Sequence, residues 1–146
     1  FEFYALLLTE ITSNNYYKLL RKYAKDPAII SMAELIIRDE TGHIAFHRDR
    51  IASNEDGSYR LGSTWSTTLY LLALSAGTML WINHRKALTQ LGASTREFYQ
   101  GFLRETQWFI ETTRERRQEY LRNEIGYSKK FGATPNRHQE ELQTVR

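Results

Sequence analysis

The chain has 146 residues, 41% of them apolar, which suffices for one domain with its own core. It contains no cysteine, which excludes disulfides, thiolate-bound metals and thiol catalysis and leaves His, Asp and Glu as metal ligands. Twenty basic and seventeen acidic residues give a formal charge of +3, which is too balanced to indicate nucleic-acid binding.

The first 52 residues predict two helices. From Glu2 to Ala24 apolar residues recur at helical spacing, with no Gly or Pro. Asp26 and Pro27 then mark a helix start, because Asp suits the N-cap and Pro suits the first turn. A second helix is therefore expected from Pro27 to Ala52. The link between the two helices is short, so they should pack as an antiparallel hairpin.

The middle of the chain predicts a loop and a third helix. Asn54 to Gly62 is rich in turn-forming residues, and Leu61 to Asn83 carries no formally charged residue. The segment from Trp65 to Ile82 is long enough to cross a bilayer, but Ser and Thr dilute its hydropathy. We favour a buried or partner-facing helix, and membrane contact is the alternative.

The last part of the chain predicts a fourth helix and a tail. Ser94 and Glu97 form a capping-box pattern, and the helix should continue to about Arg122. Residues 123–146 have few apolar side chains and are expected to form an irregular tail. The prediction is an all-α domain over residues 1–122.

A candidate site lies in the second predicted helix. Glu40 and His43 are three residues apart and project from the same face as Ile36 and Ile44. A carboxylate and an imidazole within an apolar face must be paired, hydrogen-bonded or metal-bound, because burying an isolated charge is costly.

Glu10 interrupts the apolar face of the first helix in the same way. At a rise of ~1.5 Å per residue, Glu10 lies about 24 Å from the turn at Asp26, Glu40 about 21 Å and His43 about 25 Å. In an antiparallel hairpin these three side chains should meet at one level. The simplest alternative to a metal site is a buried salt-bridged cluster.

One Glu facing a Glu-x-x-His on an antiparallel neighbour is half of a dinuclear carboxylate site. With Asp39 before Glu40 and the continuation His43-Ile-Ala-Phe-His47, the first 52 residues resemble the second half of the ferritin-like four-helix bundle. They are similar to its bacterial members that are related to di-iron oxygenases and desaturases.

The resemblance implies a ferritin-like bundle that binds two iron ions, with manganese as the alternative metal. It implies that Glu10 and Glu40 bridge or chelate the metals and that His43 ligates one of them. Asp39 would orient a ligand histidine through a hydrogen bond. His47, one turn beyond His43, is a weaker candidate for a ligand, a proton relay or a core histidine.

The ligand set in this chain is half of what such a site requires. Ile44, Trp81 and Pro135 stand three residues before the other histidines, so Glu-x-x-His occurs once. We expect the other half to come from a second copy about a two-fold axis, as a homodimer, or from a missing N-terminal helix pair. The start at Phe1, without an initiator methionine, favours a longer natural protein.

The expected function is that of a di-iron oxidoreductase that activates dioxygen on an organic substrate, for which a hydrophobic small molecule is one candidate. The alternatives are an iron-binding protein or ferroxidase, and a non-catalytic helical module that could contact a membrane. No secretory leader is visible at the start of the sequence, so a cytoplasmic location is expected.

Overall fold

The computed structural model describes residues 2–53 and 61–131, and the side chains of residues 3–53 and 61–123. Across these residues the chain forms four α-helices and no strand, which confirms the all-α prediction. The helices are α1 (Glu2–Tyr23), α2 (Pro27–Ser53), α3 (Ser63–Leu91) and α4 (Thr95–Phe131).

One helix, α4, is longer than predicted. α3 ends at Leu91 and includes the exposed charged residues Arg85 and Lys86. α4 continues to Phe131, so residues 123–131 are helical and the prediction of an irregular tail from residue 123 was wrong there. Residues 123–131 contain no proline, and Gly132 follows the last residue of α4. The predicted loop at 54–60 and the tail at 132–146 lie outside the described residues.

Local caps fix the ends of the helices. The Ala28 N–H donates to Asp26 Oδ1 at 2.8 Å, which confirms the cap of α2. The Glu97 N–H donates to Ser94 Oγ at 3.2 Å at the start of α4. Gly92 has a φ of 111°, a left-handed conformation that favours glycine, and it ends α3.

The helices alternate in direction along the chain, so α1 and α3 run one way and α2 and α4 run the other way. α1 contacts all three other helices, and α4 also contacts α2 and α3, whereas α2 and α3 do not touch within the described residues. α1 runs parallel to α3, since Trp65 Nε1 donates to the Tyr4 hydroxyl at 2.9 Å near one end and Tyr16 packs on His84 near the other. The order around the bundle is therefore α1, α2, α4, α3.

The core fills the space between α1, α3 and α4, with a smaller contribution from α2. Its fully buried side chains are mostly large and apolar, as expected for one continuous core. They include Leu7, Ile11, Ile51, Leu69, Leu88, Phe98, Phe102 and Phe109. α4 also closes the end of α2, because Arg117 Nη1 donates to the Ala52 and Ser53 carbonyls at 3.2 and 3.0 Å.

Within the described part of the chain, α3 is the one helix long and apolar enough to cross a membrane by length and composition. Of its most apolar window, 28% is buried inside the protein. The exposed apolar side chains on this helix include Leu71, Met79 and Ile82. The packed face of α3 belongs to the core, and the outer face is uncovered.

Two glycines provide a matched test of the packing. A Cβ on Gly101 would lie 2.3 Å from Asn15 Oδ1, whose side chain is buried and donates to the Phe98 carbonyl, whereas a Cβ on Gly42 would meet nothing within 4 Å. We expect Gly101→Ala to destabilise the protein by about 1–3 kcal/mol. Gly42→Ala should stabilise it by up to about 1 kcal/mol, because Ala favours a helix.

Urea unfolding followed by circular dichroism measures both changes. Equal stability of the two variants would contradict the close approach of α1 and α4 at Gly101.

Candidate metal site

Glu10 of α1 and Glu40 and His43 of α2 converge at one level of the hairpin, as the sequence predicts. One ligand atom from each of the three side chains lies within 4.8 Å of the others. His43 Nδ1 is 3.1 Å from Glu10 Oε2 and 3.9 Å from Glu40 Oε2. The antiparallel packing of two regular helices is sufficient to produce this cluster.

The two oxygens of Glu40 have different surroundings. Oε1 accepts a hydrogen bond of 2.8 Å from the Ser13 hydroxyl on α1. Oε2 is buried and has no hydrogen-bond partner among the described residues. A buried oxygen without a protein partner is rare in folded proteins, and a bound water or ion can satisfy such an atom. Oε2 is also the oxygen nearer to His43.

The cluster fits a small divalent cation. Such ions bind carboxylate oxygens and imidazole nitrogens at roughly 2.0–2.3 Å, so two ligands of one ion are at most about 4.5 Å apart. The three ligand atoms lie within 4.8 Å of one another, which is close to this limit. Small side-chain rotations would therefore bring all three atoms into contact with one ion. The structure thus provides three ligand atoms for a metal ion, and iron or manganese stays a prediction.

The site lies at the surface of the hairpin, on the side away from the core. The side chains of Glu10 and Glu40 are 18% and 16% exposed, and that of His43 is 61% exposed. Exposed apolar residues occur at helical spacing from the ligands, with Leu6 one turn before Glu10 and Phe46 one turn after His43. His43 therefore faces outward beside uncovered apolar side chains, whereas the two carboxylates are largely covered.

His47 lies beside this cluster but outside it. Its side chain is buried, its ring contacts Phe3 edge-on at 4.6 Å, and its Nδ1 has no hydrogen-bond partner among the described residues. Burial lowers the pKa of His47, and nearby His43 lowers it further, whereas Glu10 acts in the opposite direction. The ligand cluster forms without His47, so direct ligation by His47 stays a prediction.

Three further polar side chains lie outside the cluster. Asp39 is exposed on α2, and no hydrogen bond to a ligand is found for it within the described residues, so its orienting role stays a prediction. His84 is exposed on α3 and packs on the Tyr16 ring at 5.2 Å. Tyr17 is half-buried and contacts Tyr16. Neither His84 nor Tyr17 belongs to the cluster.

Ser13 contacts the site but was not predicted from the sequence to do so. It follows Glu10 by three residues and therefore lies on the same face of α1. That spacing is the available signal, but a serine at such a position usually donates to its own helix. The contact with Glu40 depends on the distance between the two helices.

Comparisons with protein-family models, with curated proteins and with solved structures give no match. The resemblance to the ferritin-like superfamily thus rests on the residues of α1 and α2.

The lowered pKa of His47 predicts a pH-dependent stability. At about pH 7.5 this histidine is neutral in both the folded and the unfolded state. As the pH falls through about 6.5, the unfolded state binds the proton first, so the free energy of unfolding decreases. His47→Gln should reduce this decrease between about pH 7.5 and 5.5, because glutamine does not titrate.

Urea titrations at the two pH values measure this effect, with His84→Gln as the exposed histidine control. The same pH-dependent loss in both variants would contradict a buried, neutral His47.

Proposed function

We propose that this protein is a ferritin-like, iron-dependent oxidoreductase that acts on an organic substrate with dioxygen. Glu10, Glu40 and His43 would hold the metal, and they form half of a site for two ions. The observation that carries the proposal is their convergence around the unpartnered Oε2 of Glu40. Bound iron would supply the one-electron redox chemistry with dioxygen that amino-acid side chains lack.

The protein residues have distinct parts in this proposal. Glu10 and Glu40 supply negative charge that attracts a divalent cation and lowers the cost of removing its water ligands. His43 would supply a ring nitrogen as the third ligand atom. Ser13 keeps one oxygen of Glu40 occupied while the other remains free.

The second half of the site would come from another helix pair with the same ligands. For this chain alone, the other helix pair would belong to a second copy about a two-fold axis. In a longer protein, it would be a helix pair that precedes Phe1. The exposed apolar residues beside the ligands support such a covering partner. They include Leu6 and Phe46.

The outward face of the cluster also favours a second function, iron handling without an organic substrate. The 61% exposure of the His43 side chain leaves the ligands open to exchange with solvent ions. In this alternative Fe²⁺ is the substrate and its oxidation is the reaction. α3 contacts α1 and α4 but not α2 within the described residues, so in one copy it does not adjoin the side of the hairpin on which His43 lies.

Metal analysis tests the binding proposal. Protein loaded with Fe²⁺ under anaerobic conditions and then desalted should retain iron, and Glu40→Gln should weaken binding by more than about tenfold, because a ligand is removed. Glu105→Gln is the matched control, since Glu105 is similarly buried but pairs with Lys18 away from the cluster. Wild-type protein without bound iron or manganese would contradict the proposal.

Oxygen consumption separates the two functions. Iron-loaded protein that consumes dioxygen only when a hydrophobic organic compound is added would support the oxidoreductase. Consumption that scales with added Fe²⁺ alone, and beyond the bound stoichiometry, would support iron handling. Glu40→Gln should abolish both responses, and its residual rate measures the background from free iron.

Light scattering tests the second copy. With Fe²⁺ the mass should rise from 17.2 kDa towards about 34 kDa, twice the monomer mass. Phe46→Lys should prevent this, because a charge would be buried in the contact. Met79→Lys, at an equally exposed apolar position on α3, should not. Iron binding by a chain that stays monomeric would leave the preceding helix pair as the source of the other half.

A further inference from the structure

We infer that Ser13 is a positioning residue of the metal site, which holds the Glu40 carboxylate so that Oε2 faces the metal. The inference rests on the proposed metal binding and concerns how tightly the metal is held.

The geometry assigns the two oxygens of Glu40 to different partners. The Ser13 hydroxyl donates from α1 to Glu40 Oε1 on α2 at 2.8 Å, a distance typical of a good hydrogen bond. Oε2 then lies 3.9 Å from His43 Nδ1, which is too far for a hydrogen bond. Because Oε1 is held, rotation of the carboxylate away from His43 would break a contact.

The hydrogen bond of Ser13 differs from the usual behaviour of hydroxyl side chains in these helices. Thr9 and Thr12 on the same helix donate to the carbonyls of Ala5 and Leu8, one turn earlier. Ser13 also has a carbonyl one turn earlier within its own helix, but it donates across to α2. Its hydroxyl thus contacts the site rather than its own helix.

A held carboxylate favours metal binding through entropy. Glutamate has three side-chain torsions, and a free side chain loses that freedom when it binds a metal. Ser13 restricts Glu40 before the metal arrives, so less freedom is lost on binding. Hydrogen-bonding partners of metal ligands typically change affinity by 10–100-fold when they are removed.

Titration with Co²⁺ tests the role, because its visible absorption reports both affinity and coordination geometry. Ser13→Ala should bind Co²⁺ about 10–100-fold more weakly than wild type and with an altered visible spectrum. Ser13→Thr keeps the hydroxyl and should recover most of the affinity and the wild-type spectrum. Ser75→Ala is the matched control, since Ser75 donates to the Leu71 carbonyl of its own helix α3.

The outcomes separate this inference from the metal proposal. Wild-type affinity and spectrum in Ser13→Ala would overturn the positioning role and leave metal binding intact. No Co²⁺ or Fe²⁺ binding by the wild type would overturn both. If Ser13→Ala lowers the melting temperature of the metal-free protein and Ser13→Thr does not recover the Co²⁺ affinity, Ser13 is a structural residue and the inference fails.

Discussion

The register between α1 and α2 is the constraint on which the site depends. Residues 24–26 link the helices, and the Asp26 cap starts α2 directly after this turn. Because each helix rises by ~1.5 Å per residue, the turn sets which residues face each other along the whole hairpin. A shift of one residue in either helix would rotate a ligand by about 100° away from its partners. The cluster is therefore a consequence of the turn.

The position of the cluster reflects the cost of burying charge. Two carboxylates in the core between α1, α3 and α4 would lose most of their hydration, and that cost would exceed what one imidazole could return. At the outer side of the hairpin Glu10 and Glu40 keep partial contact with water, and Ser13 and His43 provide polar neighbours. In the core the polar groups are neutral instead, as with Asn15, which donates to the Phe98 carbonyl.

The arrangement of the bundle determines which surfaces remain uncovered. α4 packs between α2 and α3 and supplies the buried side chains of Phe98, Phe102 and Phe109, and the hairpin and α3 each keep one outer face. The hairpin face combines the ligands with exposed apolar residues such as Leu6 and Phe46. The outer face of α3 exposes apolar residues such as Leu71 and Met79 and carries no ligand cluster among the described residues. These surfaces thus differ in chemistry, and the proposed function uses the one on the hairpin.

The helices, the hairpin and the level at which Glu10, Glu40 and His43 meet can be predicted from the sequence. Helical periodicity, caps and the rise per residue are local properties, so they can be predicted without knowing the rest of the fold. The ends of α3 and α4 were less predictable, because charged residues continue a helix as readily as they form a loop.

The surroundings of the site could not be predicted from the sequence and depend on the tertiary structure. Ser13 holds one oxygen of Glu40, and the other oxygen has no partner among the described residues. His43 is exposed, whereas His47 is buried. These features depend on interhelical distances and on where α3 and α4 pack. Periodicity assigns a residue to a face of its helix, but the neighbouring helices determine which faces are covered. The ligands could therefore be predicted from the sequence, whereas their surroundings depend on how the four helices pack.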